Sequence, residues 1–301
     1  MSPLSLPRWR QYQRQQYPFM PHISLSGMIG LAAVGYAALL RSQIGMVDLP
    51  LAVFIMAGIS TVLLFLQGQI ATDLREKRWR PEGVLTRQEL EMLGVGSGCI
   101  QLGLAIASGS TMVGFLIGIW VYLGLMRYDF FVPQWLGDRP LLRLGGHQMI
   151  MPLIVAYGAA FEGWRPFISE AEPLHWLLFM SFFAGMVLEL GQSLGTPEGD
   201  RVPIESPSAS IWTGQSGAIA WLTVLWLTAF SGLMAARAIA FVSPVALVVA
   251  LGLLGGVSMI WRFLAHPGVA RWLSPAAQVW LIGLYGCLGL VPWGMTFMDR
   301  G

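Results

Sequence analysis

Charged side chains are scarce in this sequence. Only 11% of its 301 residues are Asp, Glu, Lys or Arg, whereas soluble domains carry about 25%. Hydrophobic residues make up 55% of the chain, and the mean hydropathy is +0.62. This composition excludes an ordinary soluble domain and predicts an integral membrane protein.

Cysteine and lysine are also nearly missing. The two cysteines, Cys99 and Cys287, both lie in apolar segments, which excludes a disulfide framework and a cysteine-based metal site. Lys77 is the only lysine, and the net charge is +2. Because no basic run is long enough to follow a phosphate backbone, we expect no nucleic-acid partner. The first apolar run is long enough to span a membrane, so we expect no cleavable signal peptide.

What the sequence does contain is a series of long apolar segments. A membrane-spanning helix needs about 20 residues, or as few as about 17, and nine segments meet this requirement, at 22–41, 50–71, 91–108, 110–127, 141–162, 174–194, 214–236, 240–263 and 276–297. The third and fourth segments are divided only at Ser108 to Ser110. We therefore predict an all-α, polytopic helical bundle of about nine spans, forming one membrane domain over residues 22–297.

The basic residues are unevenly distributed between the two sides of this bundle. With nine spans, fourteen of the eighteen Lys and Arg residues fall on the same side as the N-terminus; the others are Arg41, Arg165, Arg237 and Arg300. The positive-inside rule then predicts a cytoplasmic N-terminus and a C-terminus on the opposite side. Residues 1–21 combine basic and aromatic side chains, which is typical of a cytoplasmic or interfacial segment.

The densest cluster of charge lies between the second and third apolar segments, over residues 69–83. If this stretch begins as a helix, Asp73 and Glu76 share a face, because they are three residues apart. Arg75 and Arg78 lie on adjoining faces at the same depth. Carboxylates and guanidinium groups at a membrane boundary suit a phosphate and its metal ion. The alternative is a solvated anchor loop of the positive-inside kind.

A second polar loop follows the sixth apolar segment, from Glu189 to Arg201. Glu189 still lies within the apolar segment, where an ionisable side chain is costly and usually faces a cavity or a partner. A hydrogen-bonded helix end is the alternative interpretation. Both loops are predicted on the same side of the membrane. We therefore expect the carboxyl groups of Asp73 and Glu189 to border one inward-facing cavity.

Several segments resemble those of UbiA-type intramembrane prenyltransferases, in particular a bacterial and cyanobacterial branch. In the middle of the chain these are 121–140, with Asp129-Phe-Phe-Val-Pro-Gln-Trp-Leu at its centre, and 146–153, which reads Gly-His147-Gln-Met-Ile-Met-Pro-Leu. The family's first aspartate-rich motif region is similar to residues 66–71, 79–81 and 83–90 of this chain. Its second motif region is similar to residues 189–191, 197–198 and 210–212. The resemblance covers roughly residues 10–225, and the last two apolar segments match only in being apolar.

The resemblance implies a nine-span bundle that transfers an isoprenoid chain from an allylic diphosphate to an aromatic or quinol-like acceptor. Mg²⁺ is the implied cofactor, and the partners are membrane lipid and a prenyl diphosphate or isoprenoid lipid, in a bacterial inner or thylakoid-type membrane. The candidate catalytic and metal ligands are Asp73, Glu76 and Glu189. The candidate diphosphate-binding residues are Arg75, Lys77, Arg78 and Arg80, and those for the acceptor or cavity are Gln69, Tyr122, Asp129 and His147.

The aspartate-rich motifs are degenerate. Thr72 stands where a leading aspartate is expected, and Gln192, Ser193 and Gly195 stand where the family tends to have basic residues. A histidine such as His147 can also serve only as a hydrogen bond between helices. The sequence therefore leaves a second hypothesis open: a non-catalytic relative that binds an isoprenoid, quinone or pigment tail within a membrane complex. A transporter is disfavoured because no paired Gly/Pro-broken spans recur in corresponding halves.

Overall fold

The computed structural model describes residues 6–15, 19–42, 51–75, 85–163, 172–195, 214–239 and 241–298. These residues form α-helices and a few turns, with no β-strand among them. The helices are α1 (Leu6–Gln15), α2 (Phe19–Ser42), α3 (Leu51–Arg75), α4 (Arg87–Ser108), α5 (Ser110–Arg127), α6 (Pro133–Gly137), α7 (Pro140–Gln148), α8 (Ile150–Ala160), α9 (Glu172–Gly195), α10 (Gly214–Ala238), α11 (Val242–Ala265) and α12 (Leu273–Met298). Short 3₁₀ segments follow α5, at Asp129–Phe131, and α11, at Pro267–Trp272.

The predicted membrane bundle is confirmed. Within the described parts of the chain, seven helices are long and apolar enough to cross a membrane, and a shorter apolar segment, Ile23–Leu39, lies in α2. Eight of the nine predicted spans each correspond to one long helix: α2 to α5 and α9 to α12. The chain is therefore an all-α, multi-pass membrane protein. The side of the membrane that holds each terminus stays a prediction.

The break predicted between the third and fourth spans is present at Gly109. This residue has φ +115°, a backbone conformation that favours glycine, and it separates α4 from α5. The two helices pack against each other. A single residue without a side chain is therefore enough to divide what reads as one long apolar run.

The predicted fifth span, 141–162, differs from a single helix. It is divided into α7 and α8 at Met149. Pro152 accounts for the break, because it has no N–H to donate to the carbonyl of Gln148 and its ring collides with that carbonyl in a continuous helix. The break leaves His147 and Gln148 at the end of α7.

The core is built by close pairing of α2 with α12 and of α9 with α10. Large side chains fill it; Tyr285, for example, is fully buried between α12 and α9, and its hydroxyl donates a hydrogen bond to Oγ of Ser181 over 2.9 Å. Where α12 crosses α2, a Cβ added at Gly289 would lie 2.9 Å from the backbone nitrogen of Ala32. Small residues allow such close approach of helices in membranes.

Polar side chains bind α3, α4 and α5 to one another. Nε1 of Trp120 donates to Oε1 of Gln67 over 3.1 Å, and Nε2 of Gln67 donates to Oγ of Ser97 over 3.2 Å. In a helical bundle that buries apolar side chains, such satisfied polar contacts fix the relative depth of the helices. The contacts place the C-terminal ends of α3 and α5 at the same end of the bundle as the start of α4.

Candidate functional site

Asp73 lies in the last turn of α3 and is buried, with 1% of its surface exposed. Its Oδ2 accepts a hydrogen bond from the hydroxyl of Tyr12 over 2.7 Å. Its Oδ1 accepts one from Nε2 of Gln69 over 2.9 Å. Gln69 is four residues earlier on α3, and this spacing places both side chains on the same face of the helix. Of the four candidate acceptor or cavity residues, Gln69 therefore belongs with Asp73.

The N-terminal helix α1 covers this end of α3. Tyr12 is buried, its ring stacks on Trp9 with 5.7 Å between centroids, and it joins a hydrophobic cluster with Ile70 and Leu90. Four residues before Tyr12, Nη1 of Arg8 donates to Oε1 of Glu89 over 2.8 Å. One helix thus contacts α3 through a phenol and α4 through an ion pair.

Glu89 has a second task at the start of α4. The backbone N–H of Glu89 donates to Oγ1 of Thr86, and Oε2 of Glu89 accepts from the backbone N–H of Thr86 over 2.7 Å. This reciprocal arrangement is a capping box, which satisfies backbone donors at the beginning of the helix. Glu89 therefore fixes both where α4 begins and where α1 lies.

The remaining candidates of the charged stretch are described only in part. Glu76, Lys77, Arg78 and Arg80 lie outside the described residues, and of Arg75 only the backbone is described, at the end of α3. Thr72 is exposed and donates to the carbonyl of Gly68. Among the side chains that the structure does describe, no three His, Cys, Asp or Glu residues are grouped closely enough to hold a metal ion. The role of Asp73 as a metal ligand stays a prediction.

Glu189 lies near the C-terminal end of α9, with its side chain partly buried. Its Oε2 accepts a hydrogen bond from Nε2 of Gln148. One turn earlier on α9, a Cβ added at Gly185 would collide with the side chain of Gln148, so the missing side chain makes room for the amide. This contact joins α9 to α7, and the role of Glu189 as a catalytic residue or metal ligand stays a prediction. The shared cavity with Asp73 remains a prediction.

Asp129 forms an ion cluster with two residues of α7. Nε of Arg143 donates to its Oδ1 over 3.3 Å, and Nη2 donates to its Oδ2 over 3.1 Å. Nε2 of His147 lies 3.0 Å from Oδ1. Arg143 and His147 are four residues apart on α7, so the helix presents both to the same carboxylate. All three side chains are largely buried.

The backbone around Asp129 is strained. Asp129, Phe130 and Phe131 have φ angles of +45°, +56° and +62°, in the left-handed region where such residues cost about 1–3 kcal/mol each. Phe130 contacts the rings of Tyr122 and His147 edge-on, and the Tyr122 hydroxyl donates to the carbonyl of Gly146. The structure therefore brings Tyr122, Asp129 and His147 into one cluster.

The segment around the short helix α6, residues 127–139, carries several exposed aromatic and basic side chains. The guanidinium of Arg139 lies 4.4 Å from the ring centroid of Trp135, and that of Arg127 lies 5.9 Å from that of Tyr128. Phe131 is 71% exposed and stacks on Tyr128. Exposed aromatic and cationic side chains together are typical of the membrane–water boundary. We therefore expect the Asp129 cluster to lie at the level of that boundary.

An open groove of about 520 Å³ lies between α3, α4 and α5. Two glycines of α4, Gly94 and Gly98, form part of its wall, and Arg127 lines it at the end of α5. Ala71, two residues before Asp73, also lines it. The groove therefore runs along the helix that carries Asp73.

The residues of these clusters that were not identified as candidates from the sequence include Arg8, Tyr12, Glu89, Arg143 and Gln148. The sequence does contain a signal for Glu89, because Thr86-x-x-Glu89 before an apolar run is the signature of a capping box. The four-residue spacing of Arg143 and His147 is a signal that the two side chains share a helix face. The contact between Tyr12 and Asp73 has no comparable signal, because 61 positions separate the two residues.

Comparison with known proteins shows the fold. No family model and no curated protein matches the chain. It is similar to a solved structure of a UbiA homologue from Aeropyrum pernix K1, with a TM-score of 0.63 and 15% identity, covering 89% of this chain and 96% of that one. It is also similar to a structure from a study of digeranylgeranylglyceryl phosphate synthase in membranes, with a TM-score of 0.62 and 12% identity, covering 95% and 99% of the two chains. The chain therefore has a UbiA-type fold.

Proposed function

We propose that the chain is a membrane prenyltransferase of the bacterial and cyanobacterial UbiA-type branch that its motifs resemble. It transfers an isoprenoid chain from an allylic diphosphate to an aromatic or quinol-like acceptor. The observation that carries the proposal is the buried carboxylate of Asp73 at the end of α3, in a chain with a UbiA-type fold. Burying an ionisable group in a membrane helix is costly, and such groups usually mark functional sites.

The donor set at Asp73 suits a hard cation. The phenol of Tyr12 and the amide of Gln69 each donate a hydrogen bond to the carboxylate. These two contacts orient the carboxylate. Mg²⁺ prefers oxygen ligands, commonly one or two carboxylates together with phosphate oxygens and water. Asp73 would hold the ion together with Glu76 and Glu189.

The reaction breaks the bond between the allylic C1 and the diphosphate oxygen, and the electron pair leaves with the diphosphate. When bound, Mg²⁺ would neutralise the charge of this leaving group. Arg75, Lys77, Arg78 and Arg80 would bind the diphosphate oxygens by charge-assisted hydrogen bonds. The acceptor carbon then forms the new bond to C1 and loses a proton to solvent.

The Asp129 cluster supplies the acceptor side of the proposed site. Asp129 fixes the orientation of the His147 ring through the contact at Nε2. The ring of Phe130, which contacts both Tyr122 and His147, offers an aromatic face that stabilises a nearby cation. His147 would orient the hydroxyl or carbonyl of the acceptor by a hydrogen bond.

An assay with purified protein tests the proposal. The protein in detergent is incubated with Mg²⁺, labelled prenyl diphosphates of several lengths and a panel of aromatic acceptors. We expect a prenylated product that disappears with EDTA and whose formation falls by at least about 10- to 100-fold in Asp73→Ala, since each charge-assisted contact contributes about 1.5–3 kcal/mol.

The matched control is Glu91→Ala. Glu91 is an exposed carboxylate near the start of α4 and pairs only with exposed Arg87 among its described contacts, so its loss should leave turnover unchanged. If the wild-type protein and Asp73→Ala both retain a prenyl lipid tightly and neither forms product, the proposed prenyltransferase activity is contradicted. That result would favour a non-catalytic subunit or assembly factor that binds an isoprenoid, quinone or pigment tail.

A further inference from the structure

We propose that Tyr12 is a positioning residue for Asp73, and that α1 forms one wall of the metal and diphosphate site. The inference rests on the proposed function and extends it to a part of the chain outside the aspartate-rich motifs. Tyr12 touches neither the substrate nor the reacting atoms in this proposal; it acts through the carboxylate to which it donates.

The first argument is the geometry of the phenol. Tyr12 is 2% exposed and Asp73 is 1% exposed, and their hydrogen bond is 2.7 Å long. A buried tyrosine hydroxyl needs a hydrogen-bond partner, which a main-chain carbonyl or a serine could supply. The hydroxyl of Tyr12 instead donates to the one candidate metal ligand of α3, which also accepts a hydrogen bond from Gln69 of its own helix.

The second argument is the independent attachment of α1. The ion pair of Arg8 with Glu89 fixes the same helix to the start of α4. α1 therefore contacts both the last turn of α3, which carries Asp73, and the start of α4. These two contacts fix the position of Tyr12 relative to Asp73.

The physical effect on the carboxylate follows from these contacts. The side chain of an aspartate has two rotatable bonds, so its carboxylate can adopt several orientations. Hydrogen bonds from Tyr12 and Gln69, which approach from different helices, fix the plane of the carboxylate. Ligand carboxylates are commonly hydrogen-bonded in this way, and loss of such an outer partner typically costs about 10–100-fold in metal affinity or activity. The phenol thus prepares Asp73 for the cation before the substrate binds.

The test compares two tyrosine-to-phenylalanine variants. Tyr12→Phe removes the donor and keeps the ring that packs in the hydrophobic cluster. Tyr285→Phe is the matched control, because it removes an equally buried hydroxyl that binds Ser181 in the core. Binding of Mn²⁺ in the presence of inorganic diphosphate is measured by electron paramagnetic resonance, and the Mg²⁺ dependence of turnover is measured beside it.

We expect Tyr12→Phe to weaken Mn²⁺ binding by about tenfold or more and to raise the half-saturating Mg²⁺ concentration similarly, with turnover recovering at high Mg²⁺. Tyr285→Phe should bind Mn²⁺ as the wild-type protein does. Arg8→Gln, which loosens α1 without touching Asp73, should weaken binding by up to about fivefold. This second variant keeps the test informative if Tyr12→Phe does not fold.

The outcomes separate the inference from the proposed function. In one outcome, the wild-type protein binds Mn²⁺, Asp73→Asn does not, and both Tyr12→Phe and Arg8→Gln bind it as the wild type does. This result would show that Asp73 belongs to a metal site but that Tyr12 does not position it. Tighter binding by Tyr12→Phe also overturns the inference, because the phenol then obstructs the cation. Absence of Mn²⁺ binding by the wild-type protein overturns the metal site and the inference together.

Discussion

The carboxylate of Asp129, in the turn that follows α5, lies 3.0 Å from the imidazole of His147 on α7. The same carboxylate holds the guanidinium of Arg143. Three consecutive residues with positive φ at 129–131 keep Asp129 in this position. The strained turn positions the carboxylate of Asp129 for the ion cluster. The cluster in turn stabilises the strained turn.

We expect Asp129→Ala to destabilise the protein strongly. It removes the partner of a largely buried guanidinium, and breaking a buried pair in this way costs about 3–5 kcal/mol. The free energy of unfolding can be measured by titration with a denaturing detergent. The control is Glu91→Ala, which breaks an exposed pair one helical turn apart and should change the free energy by less than about 0.5 kcal/mol. Equal losses in the two variants would contradict a structural role for the cluster.

His147→Gln tests the acceptor side of the proposed site separately. Glutamine keeps a donor and an acceptor but loses the ring that contacts Phe130. If His147 orients the acceptor, the KM for the acceptor should rise by about fivefold or more, because the amide places its donor differently from the ring and a hydrogen bond misplaced in this way loses about 1 kcal/mol or more. The KM for the prenyl diphosphate should not change. A rise in both constants, or in neither, would show that His147 only joins helices.

Much of this fold follows from the sequence, because long apolar segments leave a chain few alternatives in a membrane. Eight of the nine predicted spans are continuous helices. The break within the fifth predicted span could also have been predicted, since Pro152 cannot donate a backbone hydrogen bond to Gln148. It was missed because residues 141–162 are long and apolar enough to be taken for one continuous helix.

The candidate site was less predictable, because its contacts join residues far apart in sequence. The i,i+4 pair of Gln69 and Asp73 lies within one helix and needs only helical spacing. The contact of Tyr12 with Asp73 and that of Gln148 with Glu189 depend on how helices pack. Spacing within one segment carries no information about such packing.

Gly289→Ala tests the packing of α2 on α12. An added Cβ would lie 2.9 Å from the backbone nitrogen of Ala32 and 2.7 Å from Cγ of Leu31. Backbone atoms cannot move aside as a flexible side chain can, so we expect a loss of about 1–3 kcal/mol from overpacking. Gly96→Ala in α4 is the control, because no atom lies within 4 Å of the added Cβ there. Its free energy of unfolding should stay the same or rise slightly.

The orientation in the membrane rests on the uneven distribution of Lys and Arg and can be tested by labelling. Cys99 and Cys287 are first replaced by serine, and single cysteines are then introduced as Arg78→Cys and Arg165→Cys. The positive-inside rule places position 78 in the cytoplasm and position 165 on the opposite side.

With an impermeant maleimide, intact cells should therefore label position 165 and leave position 78 unlabelled. Inverted membrane vesicles should give the reverse pattern, and this preparation is the control for whether each cysteine can react at all. Labelling of position 78 but not of position 165 in intact cells would overturn the orientation. It would also place the end of α3 that carries Asp73 on the side away from the cytoplasm, where a cytoplasmic prenyl diphosphate could not reach it.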